Sequence, residues 1–480
     1  MNKTLNLQTV KVNRIRCGAF ALGGIIVGLC QTDLPIYLCY LVLVMWEIRN
    51  ILRNSDKEKI VESLLGIWMY SLIVASNYVV IIVTMLVAVL LYLKGLWRRE
   101  SERVQTFNLV LWGYLILNFI LGSSGIVHLI FLIFYCFTFV MGKKLVLNFN
   151  KLHDNSLRVI LTYGKEIVII EAVTMLCRTF RVRNDFDKFV DLDWVYGTFG
   201  FMQGVQMFMV MLFIGLIFLL IAMNYKNKMA ILYGIVSMVL AVMTGSTALT
   251  VITVGVVLVY FLINARIKFS QKILLVFGGM LVVVFFLVIS PQWVRNDIMS
   301  LLNPEFLLSR VTKLQTYVDV FYNIPKENWL YGLIGVGIGT FNSRTALTCT
   351  GLYIPAYSKL FSPNINEMCA KYIVPKYEYC IGDGWANGTA NMPFASITAV
   401  QAELGLIGLC LFLGWMVRLV YKKGTNTLLI VFVFFAFLFY DNYVEFPRTA
   451  VAFWLAYGAT LVIEKREKKE IKDGTKTKQY

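Results

Sequence analysis

Apolar residues in this chain run together in blocks of fourteen to twenty-two, separated by short polar breaks, from Cys17 to Ile463. Most blocks are long enough to cross a hydrocarbon layer as a helix. They predict fourteen spans: 15–31, 33–48, 61–76, 77–93, 106–122, 124–141, 158–177, 202–223, 229–244, 246–263, 272–290, 396–417, 427–440 and 448–463. The count falls to twelve if the pairs joined by Gly122-Ser123-Ser124-Gly125 and Thr244-Gly245-Ser246 are each one broken helix. The expected fold is therefore an all-α polytopic membrane protein. The first block is not read as a cleavable signal, because further spans follow at once with no small-residue cleavage site.

Four regions follow: helices with short loops over 1–290, a large loop over 291–395, three helices over 396–463 and a basic tail over 464–480. The large loop holds seven of the nine prolines, three tryptophans and eight tyrosines, which predicts a folded, largely helical unit rather than a tether. Within it, Asn303-Pro304-Glu305 reads as a helix start, with a cap, a proline in the first turn and an acid beside it. Leu307, Val311, Leu314, Val318 and Phe321 then recur at helical spacing, predicting an amphipathic helix that ends before Pro325. Arg310, Lys313 and Tyr317 share an adjacent stripe, so the helix is expected on the membrane surface with its cations near lipid phosphates. The run Gly332-Leu-Ile-Gly335-Val-Gly337-Ile-Gly339 lacks the strand and acidic partner of a dinucleotide site and is expected to be a turn or a close-packed re-entrant segment.

Composition sharpens this picture. Hydrophobic residues make up 58% of the 480 and charged residues only 15%, more apolar material than one soluble core could bury. The net charge of +17 would raise nucleic acid as a partner in a soluble protein. Here, with the N terminus inside, the basic clusters fall on connections of one side, so 32 of the 45 basic residues lie inside and 13 outside. The charge is mostly topogenic, both termini are expected in the cytoplasm, and no nucleic-acid partner is expected. Only two histidines are present and no C-x-x-C pair, so neither a metal nor another cofactor is expected. Cys349, Cys369 and Cys380 lie in the outer loop, where a Cys369–Cys380 disulfide is the simplest pairing by spacing. Asn387-Gly388-Thr389 matches a glycosylation acceptor whose use requires a eukaryotic secretory route.

Several ionisable residues stand where ionisation is costly or where an outer-face site could form. Glu403 and Glu171 lie inside predicted spans, where a charged group is a functional hypothesis by default. Asp441, Glu445 and Arg448 crowd the connection between the last two spans. Arg178, Arg181 and Arg183 cluster at the outer end of the seventh, rimmed by Asp185 and Asp187. Arg344 follows the glycine run, and His128 near the sixth span reads as a packed histidine. Trp293, Trp329, Trp385 and the loop tyrosines could stack on sugar rings, although such residues more often serve as core or interface belts.

Four segments in order resemble the bacterial O-antigen polymerase and O-antigen ligase superfamily of integral-membrane glycosyltransferases, from about residue 190 onward. They are Trp194-Val-Tyr-Gly197-Thr198-Phe199-Gly200, Thr244-Gly245-Ser246-Thr247, Ser309-Arg310 with Gly335-Val-Gly337-Ile-Gly339-Thr-Phe341, and Asn391-Met-Pro393 leading to Glu403-Leu-Gly405-Leu-Ile-Gly408. The family often has arginine where Thr247 stands, and the ligases a histidine where Phe394 and Ala395 stand, which favours polymerase over ligase. The resemblance implies transfer of a glycan from a polyprenyl-diphosphate donor to a hydroxyl of another lipid-linked glycan, at the periplasmic face of the inner membrane. It implies donor and acceptor glycolipids and membrane lipids as partners, and admits a chain-length regulator protein. Arginine suits the leaving diphosphate because its planar fork makes bidentate, charge-assisted bonds. The acceptor hydroxyl needs a base within hydrogen-bond reach. On this reading Arg310, Glu403, Arg181 and Arg178 are expected to be catalytic, and Arg344, Arg183, Arg448, Asp441, Glu445 and Tyr317 to bind substrate. A ligase or oligosaccharyltransferase remains the alternative. A lipid-linked oligosaccharide flippase is the further one, although it would need no large outer loop and should show two similar halves.

Overall fold

A computed structural model describes residues 13–30, 32–74, 76–97, 102–122, 124–152, 156–182, 197–199, 203–225, 227–244, 246–263, 311–352, 365–382 and 391–472, with single positions elsewhere. Among these, every regular element is helical. In order they are α1 Arg14–Cys30, α2 Leu34–Arg53, α3 Lys57–Tyr70, α4 Asn77–Leu93, α5 Glu102–Leu121, α6 Ile126–Leu152, α7 Ser156–Val182, α8 Gly204–Tyr225, α9 Lys228–Val242 and α10 Thr247–Ile263. The loop supplies α11 Thr312–Val318, α12 Trp329–Ile334, α13 Arg344–Cys349, α14 Glu367–Tyr372 and α15 Val374–Gly382. α16 Ser396–Val420, α17 Thr425–Phe437 and α18 Pro447–Lys472 complete the chain. The predicted span at 272–290 lies outside the described residues, apart from three isolated positions.

Four helices, α2, α6, α8 and α16, are long and apolar enough to cross a membrane, and five shorter apolar ones accompany them. The protein is an all-α membrane protein whose medium is visible in the packing. Leu38, Leu41, Val42, Met45 and Trp46 of α2 face outward, whereas Glu47 on the same helix is buried. α8 is the opposite case, with 89% of its most apolar window inside the bundle. It packs with α9 and α18, and α18 packs in turn on α6, around a stack of aromatic rings in which Phe434 and Phe453 lie 4.1 Å apart. Gly142 permits the closest approach there, since a Cβ at that position would sit 2.4 Å from the Trp454 ring. The Trp454 indole in turn donates to the Phe139 carbonyl at 2.8 Å.

Both glycine-containing breaks are real. α5 stops at Leu121 and α6 starts at Ile126, while α9 stops at Val242 and α10 starts at Thr247. The Asn303 side chain accepts from the Glu305 amide at 3.0 Å as a cap would, but the helix that bears Leu314, Val318 and Phe321 starts only at Thr312, after an extended Val311.

Three expectations fail. First, the loop helix does not end before Pro325: α11 loosens into a π-helical segment, Asp319–Asn323, and continues without a break as Ile324–Glu327, the wider π turns accommodating the N–H that Pro325 lacks. Second, a cation of that helix expected near lipid phosphates is inside the protein. Lys313 is buried and donates to the Tyr440 carbonyl, while Val318 and Phe321 are exposed. Third, Cys349, Cys369 and Cys380 form no disulfide; all three are buried, with the Cys380 thiol 3.3 Å from the Thr312 hydroxyl.

Candidate functional site beneath the long loop

The glycine run is a close-packed loop laid against a broken helix. Gly335, Gly337 and Gly339 have φ of 85°, 120° and 70°, and Gly405 interrupts α16 with φ 65°. A Cβ at Gly335 would fall 2.2 Å from the Glu403 carbonyl oxygen, and one at Gly405 2.3 Å from that of Leu333. A break inside an apolar helix frees backbone carbonyls that lipid cannot satisfy. The loop satisfies them: the Val336 amide donates to Ala402 O at 2.9 Å and the Gly337 amide to Glu403 O at 3.2 Å. Asn118 donates to Ile334 O and Glu403 O at 2.5 and 3.1 Å, and the Tyr114 hydroxyl to Leu404 O at 2.5 Å.

Glu403 completes this clamp. Its carboxylate accepts from the amides of Gly339 at 2.7 Å, Phe341 at 3.1 Å and Ser343 at 3.0 Å. Three backbone donors converge on this buried carboxylate, and among the described residues no arginine pairs with it. What Glu403 does here is fix the path of residues 339–343.

What the clamp positions is the start of α13. Ser343 caps it through a hydrogen bond from the Ala346 amide at 3.1 Å. Glu445 accepts from the amides of Arg344 at 2.6 Å and Thr345 at 3.3 Å, and from the Thr345 hydroxyl at 2.9 Å. The Arg344 guanidinium lies 5.0 Å from the Tyr135 ring and 4.9 Å from the Phe446 ring. Burial raises the Glu445 carboxyl above its ordinary range, and these hydrogen bonds and Arg344 pull it part of the way back. Asp441 is likewise raised by burial, against Lys313, its bond from the Asn442 amide and Arg344. That bond, at 2.7 Å, is to Oδ1. Nearby, Asn442 donates to Asn342 O at 2.9 Å, and Asn342 donates to the Thr398 hydroxyl at 2.8 Å.

Arg448, in the first turn of α18, is fully buried. Its guanidinium donates to Gln203 Oε1 at 2.9 Å, to Phe199 O at 3.4 Å and to Val74 O, and lies 4.7 Å over the Phe199 ring. Among the described residues no carboxylate comes within 4 Å of it. Glu171, Asp33 and Arg344 act on it electrostatically from further away. Glu171 itself accepts from the Thr198 amide at 2.9 Å and from its hydroxyl.

The structure thus gathers Arg344, Glu403, Asp441, Glu445 and Arg448 in one buried region, but does not pair the last three with one another as a local network. Arg178 is buried within electrostatic range of Asp33 and Glu171. Arg181, in the last turn of α7, is exposed. Arg310 and Arg183 lie outside the described residues. Tyr317 is not turned toward this site: its hydroxyl donates to Phe439 O at 2.8 Å and its ring stacks between Phe321 and Phe439 on the flank. His128 is packed as expected, its Nδ1 accepting from the Gly125 amide at 3.1 Å.

Sequence reasoning assigned no role to Asn342, Asn442 or Gln203, and placed Lys313 near lipid phosphates rather than inside the protein. Lys313 carried a signal, a cation in the middle of a helix that also presents Thr312 and Thr316. Burial lowers its amine to about 8. No group of three or more histidine, cysteine or acidic side chains suited to a metal occurs among the described residues. No protein-family model, curated protein or solved structure matches the chain.

Proposed function

We propose that this protein polymerises polyprenyl-diphosphate-linked oligosaccharide repeat units at the periplasmic face of a bacterial inner membrane. The topology proposed with it has fourteen spans, cytoplasmic termini and the 291–395 segment outside. The observation that carries the reading is Arg448, a whole positive charge buried among neutral acceptors. An isolated buried cation is expensive unless an anion completes its surroundings, and a leaving diphosphate is such an anion. Arg344, in electrostatic contact with it, supplies the second cation.

In the reaction the acceptor hydroxyl oxygen bonds to the anomeric carbon as the bond from that carbon to the diphosphate oxygen breaks. The electron pair leaves with the diphosphate, and the hydroxyl proton passes to a carboxylate. Asp441 suits this last role better than Glu445 or Glu403, because each of those already receives three hydrogen bonds, whereas burial makes Asp441 a stronger base. Both guanidiniums are buried, so entry of a donor requires the loop to move. No metal is needed, because the donor already carries its leaving group.

Deletion followed by electrophoresis of cell-surface glycolipid tests the proposal. Cells should retain lipid capped with single repeat units and lose longer chains. Loss of every repeat unit would point to a ligase or flippase instead, and Asp441→Asn should reproduce the deletion while the protein still inserts.

A further inference from the structure

The loop helix carries information about its surroundings. Thr312, Lys313, Thr316 and Asp319 face the protein, while Val318, Phe321 and Tyr322 face away from it, followed by Trp329 and Leu330 of α12. Trp329 is 68% exposed, Tyr322 61% and Phe321 46%. In water this arrangement would waste apolar area on solvent while desolvating an amine and a carboxylate. In lipid it is the favourable one.

Two further observations fix where such a lipid would lie. On α17 and the turn after it, exposed Leu428, Phe432 and Phe439 follow one another at spacings of four and seven, the outward stripe of an apolar helix. Phe439 stacks on Tyr317 at 6.4 Å and Tyr317 on Phe321 at 6.2 Å, so this stripe continues without a break onto the loop helix. Depth comes from α12, whose Gly332 carbonyl accepts from Gln401 Nε2 at 3.1 Å and whose end meets Gly405. Those positions lie five and nine residues into α16, about 7–14 Å along its axis at 1.5 Å per residue. The Lys326 amine lies 5.7 Å over the Tyr322 ring, a cation beside an aromatic as at a membrane interface.

We propose that the outward face of residues 318–330 is a lipid-binding surface, immersed at the boundary between headgroups and acyl chains, so that this part of the long loop is a wall of the membrane-embedded body. The occupant is bilayer lipid. The full chain in proteoliposomes at high lipid-to-protein ratio, with Cys30→Ser and Cys410→Ser removing the two exposed thiols, tests this. Phe321→Cys, Trp329→Cys and, as an aqueous reference, Glu367→Cys would each be labelled with bimane. At positions 321 and 329 a lipid spin-labelled high on its acyl chain should quench at least about twofold more than iodide does, with the reverse at 367. Stronger iodide quenching at either of the first two positions overturns the proposal. Protection from both quenchers, the mark of a second copy covering the face, overturns it as well. If Trp329→Cys fails to insert, Val318→Cys takes its place under the same criteria.

Discussion

A half-buried arginine and a fully buried one are held in different ways in this protein. Arg16, at the start of α1, donates to both oxygens of Glu166 at 3.0 and 3.1 Å and lies over the rings of Tyr70 and Tyr163 at 5.4 and 4.5 Å. Glu166 also accepts from the Tyr70 hydroxyl at 2.5 Å and the Asn13 amide at 2.8 Å. Charge and hydrogen bonds close on themselves there, and nothing is left for a ligand. Arg448 is surrounded by two carbonyls and an amide oxygen, with no carboxylate in contact among the described residues. The first arrangement is a staple and the second a socket: burial alone does not mark a functional cation, but the charge balance of what surrounds it does.

Breaking the staple should produce the largest loss of stability. Glu166→Ala strands Arg16 in a mostly buried position and is expected to cost about 3–5 kcal/mol, lowering the melting temperature in detergent sharply. Arg16→Met combined with Glu166→Leu should recover most of that loss. A single mutant that melts like the parent would abolish the distinction between the two arginines.

The socket should respond in the opposite sense. Arg448→Met removes a charge that folding had to desolvate, so stability should hold or rise while chain elongation falls on the order of 100-fold, the usual effect of losing one preorganised donor to a developing anion. Assayed together, repeat-unit transfer and thermal melting decide the matter. Parallel loss of both would make Arg448 a second staple.

These contrasts show what could be read from the chain. Apolar blocks translate directly into helices and their exposed faces, because burial in an apolar medium follows from transfer free energy residue by residue. Glu403 and Arg448 were legible as sites of interest for the same reason, as costly ionisable groups at the ends of apolar runs. Their roles were not, since Glu403 is answered by the backbone amides of residues 339, 341 and 343, which carry no side-chain signature beyond the glycines that allow the turn. The loop helix misled for a related reason. Its apolar period was real, but periodicity cannot say that the lysine beside the stripe turns into the protein. Arg310, the first choice from the sequence, lies outside the described residues, and Arg310→Ala still tests whether it joins the socket: normal chain-length ladders would remove it.

A smaller effect is expected at the clamp. Glu403→Gln keeps the shape of the side chain but removes the charge that three amides share, and should cost about 1–3 kcal/mol. Elongation by the protein that remains folded should persist at a substantial fraction of the parent rate, because the clamp positions the loop without touching substrate. A variant of parental stability whose elongation is abolished would restore Glu403 as the base.

The smallest effect is a pH dependence carried by Lys313. Burial lowers its folded pKa to about 8 from 10.5, so the unfolded chain binds the proton more tightly. Below about 8 both states are protonated and the cost of burying the charge is fully present. Between about 8 and 10.5 the unfolded state holds more protons than the folded one, so stability rises with pH across that window. Elongation should move the other way if the amine helps hold a diphosphate, declining above about 8 as the cation is lost. Lys313→Met should remove the stability rise at once, since no titrating amine remains at that position. A rise that survives the substitution would assign it to another group, and an elongation profile unchanged by it would leave Arg344 and Arg448 as the cations that count.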